Sequence, residues 1–149
     1  MKPVFEGVPA RLKACQGVLV DSNILLDIAT GDVNWGEWSA RALAELLEHT
    51  VLVINPIIYA EVSIGYSTIE ALDAALPARL YRREALPWAA GFLAGKCFVQ
   101  YRRRGGQRRS PLPDFYIGAH AAVGRLGLLS RDAARYRSYF PGIEIFSPG

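Results

Sequence analysis

The stretch Gly17-Val18-Leu19-Val20-Asp21-Ser22-Asn23-Ile24-Leu25-Leu26-Asp27 constrains this chain more than any other. Three apolar residues, two of them β-branched, read as a short buried strand, and after Asp21 the apolar spacing turns helical. Asp21 therefore stands where a strand ends and a helix begins. In open α/β sheets that junction lies on the carboxyl edge, the side on which ligands bind. A carboxylate partly desolvated there needs a cation or hydrogen-bond donors to compensate it. Capping the following helix is the other role open to it.

The rest of the chain repeats the strand–helix alternation. Strands are expected at 50–54, 128–130 and 143–146, each a short apolar run. Helices are expected at 22–30, stopped by Gly31, and at 34–49, opened by Asn34 and Glu37 as a capping box. Asn55 and Pro56 suit the cap and first position of a helix that ends near Gly65. Ser67 and Glu70 open a short helix that stops at Pro77. A longer helix runs from about Pro87 to the arginines at 102–104, where cations suit the helix dipole. Further helices are expected from Asp114 and over 133–140. Residues 1–16 have no clear period and read as a partly ordered lead-in to a core at 17–148. Strands alternating with helices imply βαβ units: a mostly parallel sheet of four to five strands with helices on both faces, in a single α/β domain over 1–149.

The 149 residues, 51% of them hydrophobic, are enough to bury a proper core. No apolar run approaches the roughly 20 residues needed to span a bilayer, and residues 1–16 lack the apolar stretch of a secretory signal. Cys15 and Cys97 are far apart and belong to no CxxC or Cys/His grouping. They read as reduced thiols of a cytoplasmic protein, and zinc is disfavoured. Between Arg79 and Arg109 stand nine Lys/Arg against a single acid, Glu84, while the remainder of the chain is net acidic. A basic middle segment on an acidic body suits a polyanionic partner meeting a separate acidic site.

Applying the carboxyl-edge rule to every acid selects four. Asp21 follows the first strand, and Asp132 follows the strand at 128–130. Glu61 lies on the helix after the second strand, and Asp114 starts a helix behind Pro111-Leu112-Pro113. Four carboxylates on one rim cannot all ionise without compensation. A hard divalent cation resolves this, and oxygen-only ligands point to Mg²⁺ or Mn²⁺. Such ions polarise phosphoryl oxygens, so beside a basic segment the chemistry suits phosphodiester hydrolysis.

The segments Val20-Asp21-Ser22-Asn23-Ile24-Leu25-Leu26, Ala60-Glu61-Val62, Pro113-Asp114-Phe115-Tyr116-Ile117-Gly118-Ala119-His120-Ala121 and Ser130-Arg131-Asp132-Ala133-Ala134-Arg135-Tyr136 together resemble the PIN-domain ribonucleases. Within them the chain most resembles the VapC-type toxins of type II toxin–antitoxin systems. The resemblance implies a PIN-like fold and a Mg²⁺- or Mn²⁺-dependent endoribonuclease acting on RNA, among others tRNA or other structured RNA. It also implies a homodimer restrained by a cognate antitoxin. Asp21, Glu61, Asp114 and Asp132 match the family's catalytic, metal-holding acids. Ser22, Asn23 and Ser130 match positions that orient the first carboxylate. Arg102, Arg103, Arg104, Arg108 and Arg109 lie outside the family pattern and are candidates for RNA phosphate contact.

Other residues are expected to be structural. Asp27 reads as a surface acid, Glu84 as a solvated ion-pair partner and His120 as a packed or surface histidine. Trp35, Trp38 and Trp88 read as core or dimer contacts. A haloacid-dehalogenase-like phosphatase would want a second Asp where Asn23 stands, and the acids and lysine of a receiver domain are not seen. A catalytically silent PIN-fold module that binds RNA or protein is the alternative; it predicts RNA retention insensitive to loss of the acids.

Overall fold

The structure, a computed structural model, describes residues 2–149; Met1 of the lead-in lies outside the described residues. In chain order the elements are α1 (Val8–Arg11), β1 (Val18–Val20), α2 (Ser22–Thr30), α3 (Gly36–Leu47), β2 (Leu52–Ile54), α4 (Pro56–Ser63) and α5 (Ile69–Ala75). They continue as β3 (Tyr81–Arg83), α6 (Trp88–Arg103), α7 (Pro113–Gly124), β4 (Gly127–Leu129), α8 (Ala134–Tyr139) and β5 (Ile145–Phe146). All five strands are parallel, in the order β3-β2-β1-β4-β5. The chain builds outward from β1 to β3, then crosses back to β4 and β5. The direction therefore reverses between β1 and β4, which is where a doubly wound sheet opens its ligand crevice.

The strands are buried along their whole length at the centre of the sheet, Val18, Leu19, Val20, Leu52, Val53, Leu128 and Leu129 being wholly inaccessible. That is why they read as unbroken apolar runs and not as alternating ones. The helix α2 packs on α3 and α4, α7 packs on α6 and α8, and α4 joins the two sets by touching α7. Gly118 on α7 is required by close approach: a Cβ there would lie 2.3 Å from the Phe140 ring beyond α8. Gly31 closes α2 in the left-handed conformation (φ 61°) that its lack of a side chain permits.

Several elements differ from expectation. The strand β3 was not foreseen, because Tyr81-Arg82-Arg83 carries two exposed cations; it pairs with β2 alone and lies at the sheet edge. The helix α3 is not entered through an Asn34/Glu37 box. Asp32 accepts the amides of Asn34 (2.9 Å) and Trp35 (2.8 Å) instead. Thr68, one residue beyond Ser67, caps α5 by accepting the Ala71 amide. Residues 4–12 are no loose lead-in. The amides of Val4 and Phe5 donate to the Glu45 carboxylate on α3 at 2.6 and 2.9 Å, and Phe5, Val8 and Leu12 are buried in the core. The Phe5 ring stands edge-on to Trp38 and Phe146. Arg11 pairs with Glu144, donates to the Ile145 carbonyl and covers the Phe146 ring.

Candidate active site

Register places one residue after each strand in a row across the carboxyl rim. Val20 pairs with Leu129, Ile54 with Arg83 and Leu129 with Phe146. Continuing one residue gives the row Glu84, Asn55, Asp21, Ser130, Ser147, each about 4.8 Å from the next. Asp21 is at its centre, beside the reversal between β1 and β4.

Asp21 caps α2 through Oδ1, which accepts the Ser22 amide at 2.8 Å. Its Oδ2 accepts the hydroxyls of Ser130 (2.8 Å) and Tyr136 (3.0 Å). Among the described residues no cation touches it. Burial, aggravated by the nearby Asp114 charge and only partly offset by these hydroxyls, raises its pKa from 3.8 to about 6. Asp114 enters from the first turn of α7, with Oδ1 3.3 Å from the Tyr136 hydroxyl and Oδ2 3.5 Å from Arg135. Burial also raises its pKa, with a contribution from Asp132. Glu61, half-buried on α4, accepts the Ser22 hydroxyl at 3.0 Å, and burial together with Asp114 raises its pKa. Asp132 is the outlier: its side chain is exposed, and its amide donates to Ser130 Oγ at 3.1 Å.

Asp21 and Asp114 thus meet through one phenol, Glu61 joins through Ser22, and Asp132 stands at the margin. Among the described residues, no three acid, imidazole or thiol groups form a ready-made cluster for a metal ion. The donor chemistry nonetheless fits a hard divalent cation: all ligating atoms are oxygens, and Asp114 raises the proton affinity of both Asp21 and Glu61. Like charges without a cation between them are expected to stand apart.

The residues expected to orient Asp21 divide the work. Ser22 gives its amide to Asp21 and its hydroxyl to Glu61. Asn23 donates to Ser130 Oγ (3.3 Å) and accepts the Arg131 amide (3.2 Å), which holds the β4–α8 loop against α2. Tyr136 was not singled out from the sequence. It is only 1% exposed, its phenol lies between two acids, and burial followed by the charges of Asp21 and Asp114 raises its pKa well above 10. Its place one turn beyond Asp132 was the available signal. Asp27 is a correction: it is buried, and it takes Arg131 by two bonds of 2.8 and 3.0 Å and the Ser39 hydroxyl at 3.0 Å. The Arg131 guanidinium also covers the Trp35 ring.

His120 is wholly buried on α7. Asn55 Oδ1 accepts the Ile58 amide at 2.9 Å, so its Nδ2 faces His120 Nδ1 at 3.0 Å. Nδ1 must therefore be bare, and the proton sits on Nε2, which donates to Glu84 at 3.3 Å. Glu84 also takes Arg82, the ion pair expected of it, so the buried His120 is its added partner. Arg102, Arg103 and Arg104 are exposed at the end of α6, and Arg108 and Arg109 are exposed on the loop that leads to Asp114. Arg102 donates to the Arg108 carbonyl and Arg104 lies over Tyr139.

A parallel, doubly wound sheet that carries Asp21 on its carboxyl rim beside the switch point defines an α/β domain with its crevice at that rim. The chain belongs to the PIN-domain family, whose model matches residues 18–140. No curated protein matches it. Its fold is similar to that of VapBC2 from Rickettsia felis, solved bound to a DNA fragment from its promoter (15% identity, TM-score 0.67, 87% of this chain and 97% of that one). It is also similar to a toxin–antitoxin complex from Klebsiella pneumoniae (22% identity, TM-score 0.64, 89% and 98%). VapBC-1 from nontypeable Haemophilus influenzae gives 18% identity and a TM-score of 0.65 over 87% and 96% of the two chains. Among the described residues no helix is long and apolar enough to cross a membrane.

Proposed function

We propose that the protein is a metal-dependent endoribonuclease, the toxin of a toxin–antitoxin pair. The observation that carries this reading is the buried, uncompensated Asp21, raised to about pKa 6 and sharing Tyr136 with Asp114. PIN nucleases generally use divalent ions, and several solved neighbours are toxin–antitoxin complexes.

Asp21, Glu61 and Asp114, with Asp132 at the outer margin, would hold Mg²⁺ or Mn²⁺. When bound, such an ion lowers the pKa of water and neutralises charge that develops on the phosphoryl oxygens. Ser130 and Tyr136 aim Asp21 Oδ2, and Ser22 aims Glu61. Arg102, Arg103, Arg104, Arg108 and Arg109, on the end of α6 and the loop before Asp114, attract the RNA backbone and draw it to the rim. Water attacks the phosphorus in line, its new P–O bond forming as the P–O3′ bond breaks, and its released proton is balanced by one taken up at the departing 3′-oxygen, which gives 5′-phosphate and 3′-hydroxyl ends.

A homodimer and a cognate antitoxin belong to the same proposal. The helix α6 leaves Trp88 (95% exposed), Phe92 and Val99 on the surface, so Trp88 is no core residue and suits an interface. The protein is expected to act in the cytoplasm. Purified protein with Mn²⁺ should cut RNA, and Asp21→Asn with Asp114→Asn should abolish cutting. Equal cutting by the double variant would refute the proposal, whereas metal-free RNA retention that ignores both acids would mark a silent binding module. Growth arrest on expression, relieved by a neighbouring antitoxin gene, tests the toxin role.

A further inference from the structure

The rim continues past Asp21 into a cavity of about 270 Å³ at the carboxyl ends of β2 and β3, walled by Ile54, Pro56, Tyr59, Arg83 and Glu84. That is near the small end of ligand pockets, which run from about 300 Å³ upward. By register Glu84 stands two strands from Asp21, about 10 Å along the rim. The cavity is therefore within reach of a nucleotide adjoining a phosphate held at Asp21.

Its wall has the parts that recognise an unpaired base. Tyr59 and Arg83 form a preassembled stack, the guanidinium over the ring. The Arg83 guanidinium lies 5.2 Å from the Tyr59 ring centroid, and Asp73 fixes both, accepting the Tyr59 hydroxyl at 2.7 Å and Arg83 at 2.9 Å. Aromatic rings and guanidinium planes are the surfaces on which splayed bases stack. Glu84 supplies an edge. Arg82 takes its Oε2 through Nε at 2.8 Å and Nη2 at 2.6 Å, and His120 Nε2 donates to its Oε1 at a long 3.3 Å, while two carboxylate oxygens offer about four acceptor sites. One lone pair of Oε1 remains for a donor in the cavity. An exocyclic amino group of adenine, cytosine or guanine supplies that donor; uracil offers only its N3–H, flanked on both sides by carbonyls that a carboxylate repels.

We propose that this cavity is a base-recognition subsite for single-stranded RNA, stacking on Tyr59 and Arg83 a base next to the scissile phosphate and reading its amino group through Glu84. This rests on the nuclease reading above. It makes the enzyme selective for an amino-bearing base at one position.

The test is cleavage, with Mn²⁺, of RNA oligomers that carry A, C, G or U at each position around the cut, together with their binding in EDTA. Wild-type protein should disfavour uracil at one position. Glu84→Gln keeps an acceptor for His120 and introduces an amide donor, so it should shift preference toward uracil at that position by about tenfold, the discrimination typical of one paired base edge. Tyr59→Ala should weaken all four bases by about tenfold, with Tyr59→Phe restoring binding. A Glu84→Gln protein that cuts with the wild-type base profile, or loses activity uniformly, overturns the subsite. RNA binding in EDTA that follows the predicted base profile without any cleavage would uphold the subsite and refute the nuclease reading.

Discussion

Asp21 is an acid whose burial destabilises the metal-free protein, and Asp21→Asn measures by how much. The native state holds the Asp21 proton up to about pH 6, whereas the ordinary value is 3.8. Between those values the native state binds more protons than the unfolded chain, so stability falls as pH climbs through the window and stays low above it. The difference is about two pK units, and at about 1.36 kcal/mol per unit it costs about 3 kcal/mol at pH 7.5. Asparagine removes the charge and keeps two of the three hydrogen bonds. Its Oδ1 still accepts the Ser22 amide, and its Nδ2 can donate to Tyr136, whose hydroxyl then turns to Asp114. A lost hydrogen bond at Ser130 returns about 1 kcal/mol. Asp21→Asn should therefore stabilise the protein by about 2 kcal/mol at pH 7.5 in EDTA, a rise of roughly 4–8 °C in Tm for a chain of this size. At pH 4 the gain should vanish. Urea titrations at both pH values decide it. A variant no more stable at pH 7.5, or equally stabilised at pH 4, refutes the account of Asp21 as an uncompensated charge. Saturating Mn²⁺ should reverse the order, because ligand binding to the native state stabilises the wild type alone.

Three further perturbations probe the frame around the site. Arg131→Met leaves Asp27 buried with only Ser39, and should cost about 3 kcal/mol, whereas Asp27→Asn, which leaves a partly exposed guanidinium, should cost half of that or less by urea titration. Gly118→Ala drives a methyl into Phe140 and should cost about 1–3 kcal/mol, with near-ultraviolet dichroism reporting the displaced α8. Burial holds the His120 pKa below 6.5, with Glu84 opposing, so the unfolded chain takes up the proton first and stability is lost as pH falls below 6.5. The His120 imidazole should show the Nε2–H tautomer by nitrogen NMR, and His120→Leu should abolish that acid-side component.

Most of the frame was legible because local chemistry and tertiary context agreed. The strand at 18–20, the cap at Asn55 and the stop at Gly31 each follow from residues within a turn of one another. What was missed depends on distant partners. Tyr81-Arg82-Arg83 is a strand only because β2 lies beside it. Phe5 is core only because Trp38, Glu45 and Phe146 surround it. Four acids could be assigned to one rim from the strand pattern alone, but the rim does not treat them alike: Asp132 stays exposed while Asp21 is sealed.

Asp21 and Asp27 bring out the difference between a structural acid and a candidate functional one. Both lie within one helix length of each other, and both are buried, at 5% and 4% exposure. Asp27 takes a bidentate guanidinium and a hydroxyl, the arrangement that neutralises a buried carboxylate. Asp21 has two hydroxyls and an amide, and the charge that acts on it is that of another acid, Asp114. Strand pattern puts Asp21 on the rim and reads Asp27 as a surface acid, whereas burial alone ranks them together. The compensation around each separates them: Arg131, one residue from Asp132, is spent on Asp27 and leaves the charge at Asp21 for something outside the chain to balance. That imbalance, and not the count of acids on the rim, is the strongest reason to look for a cation there.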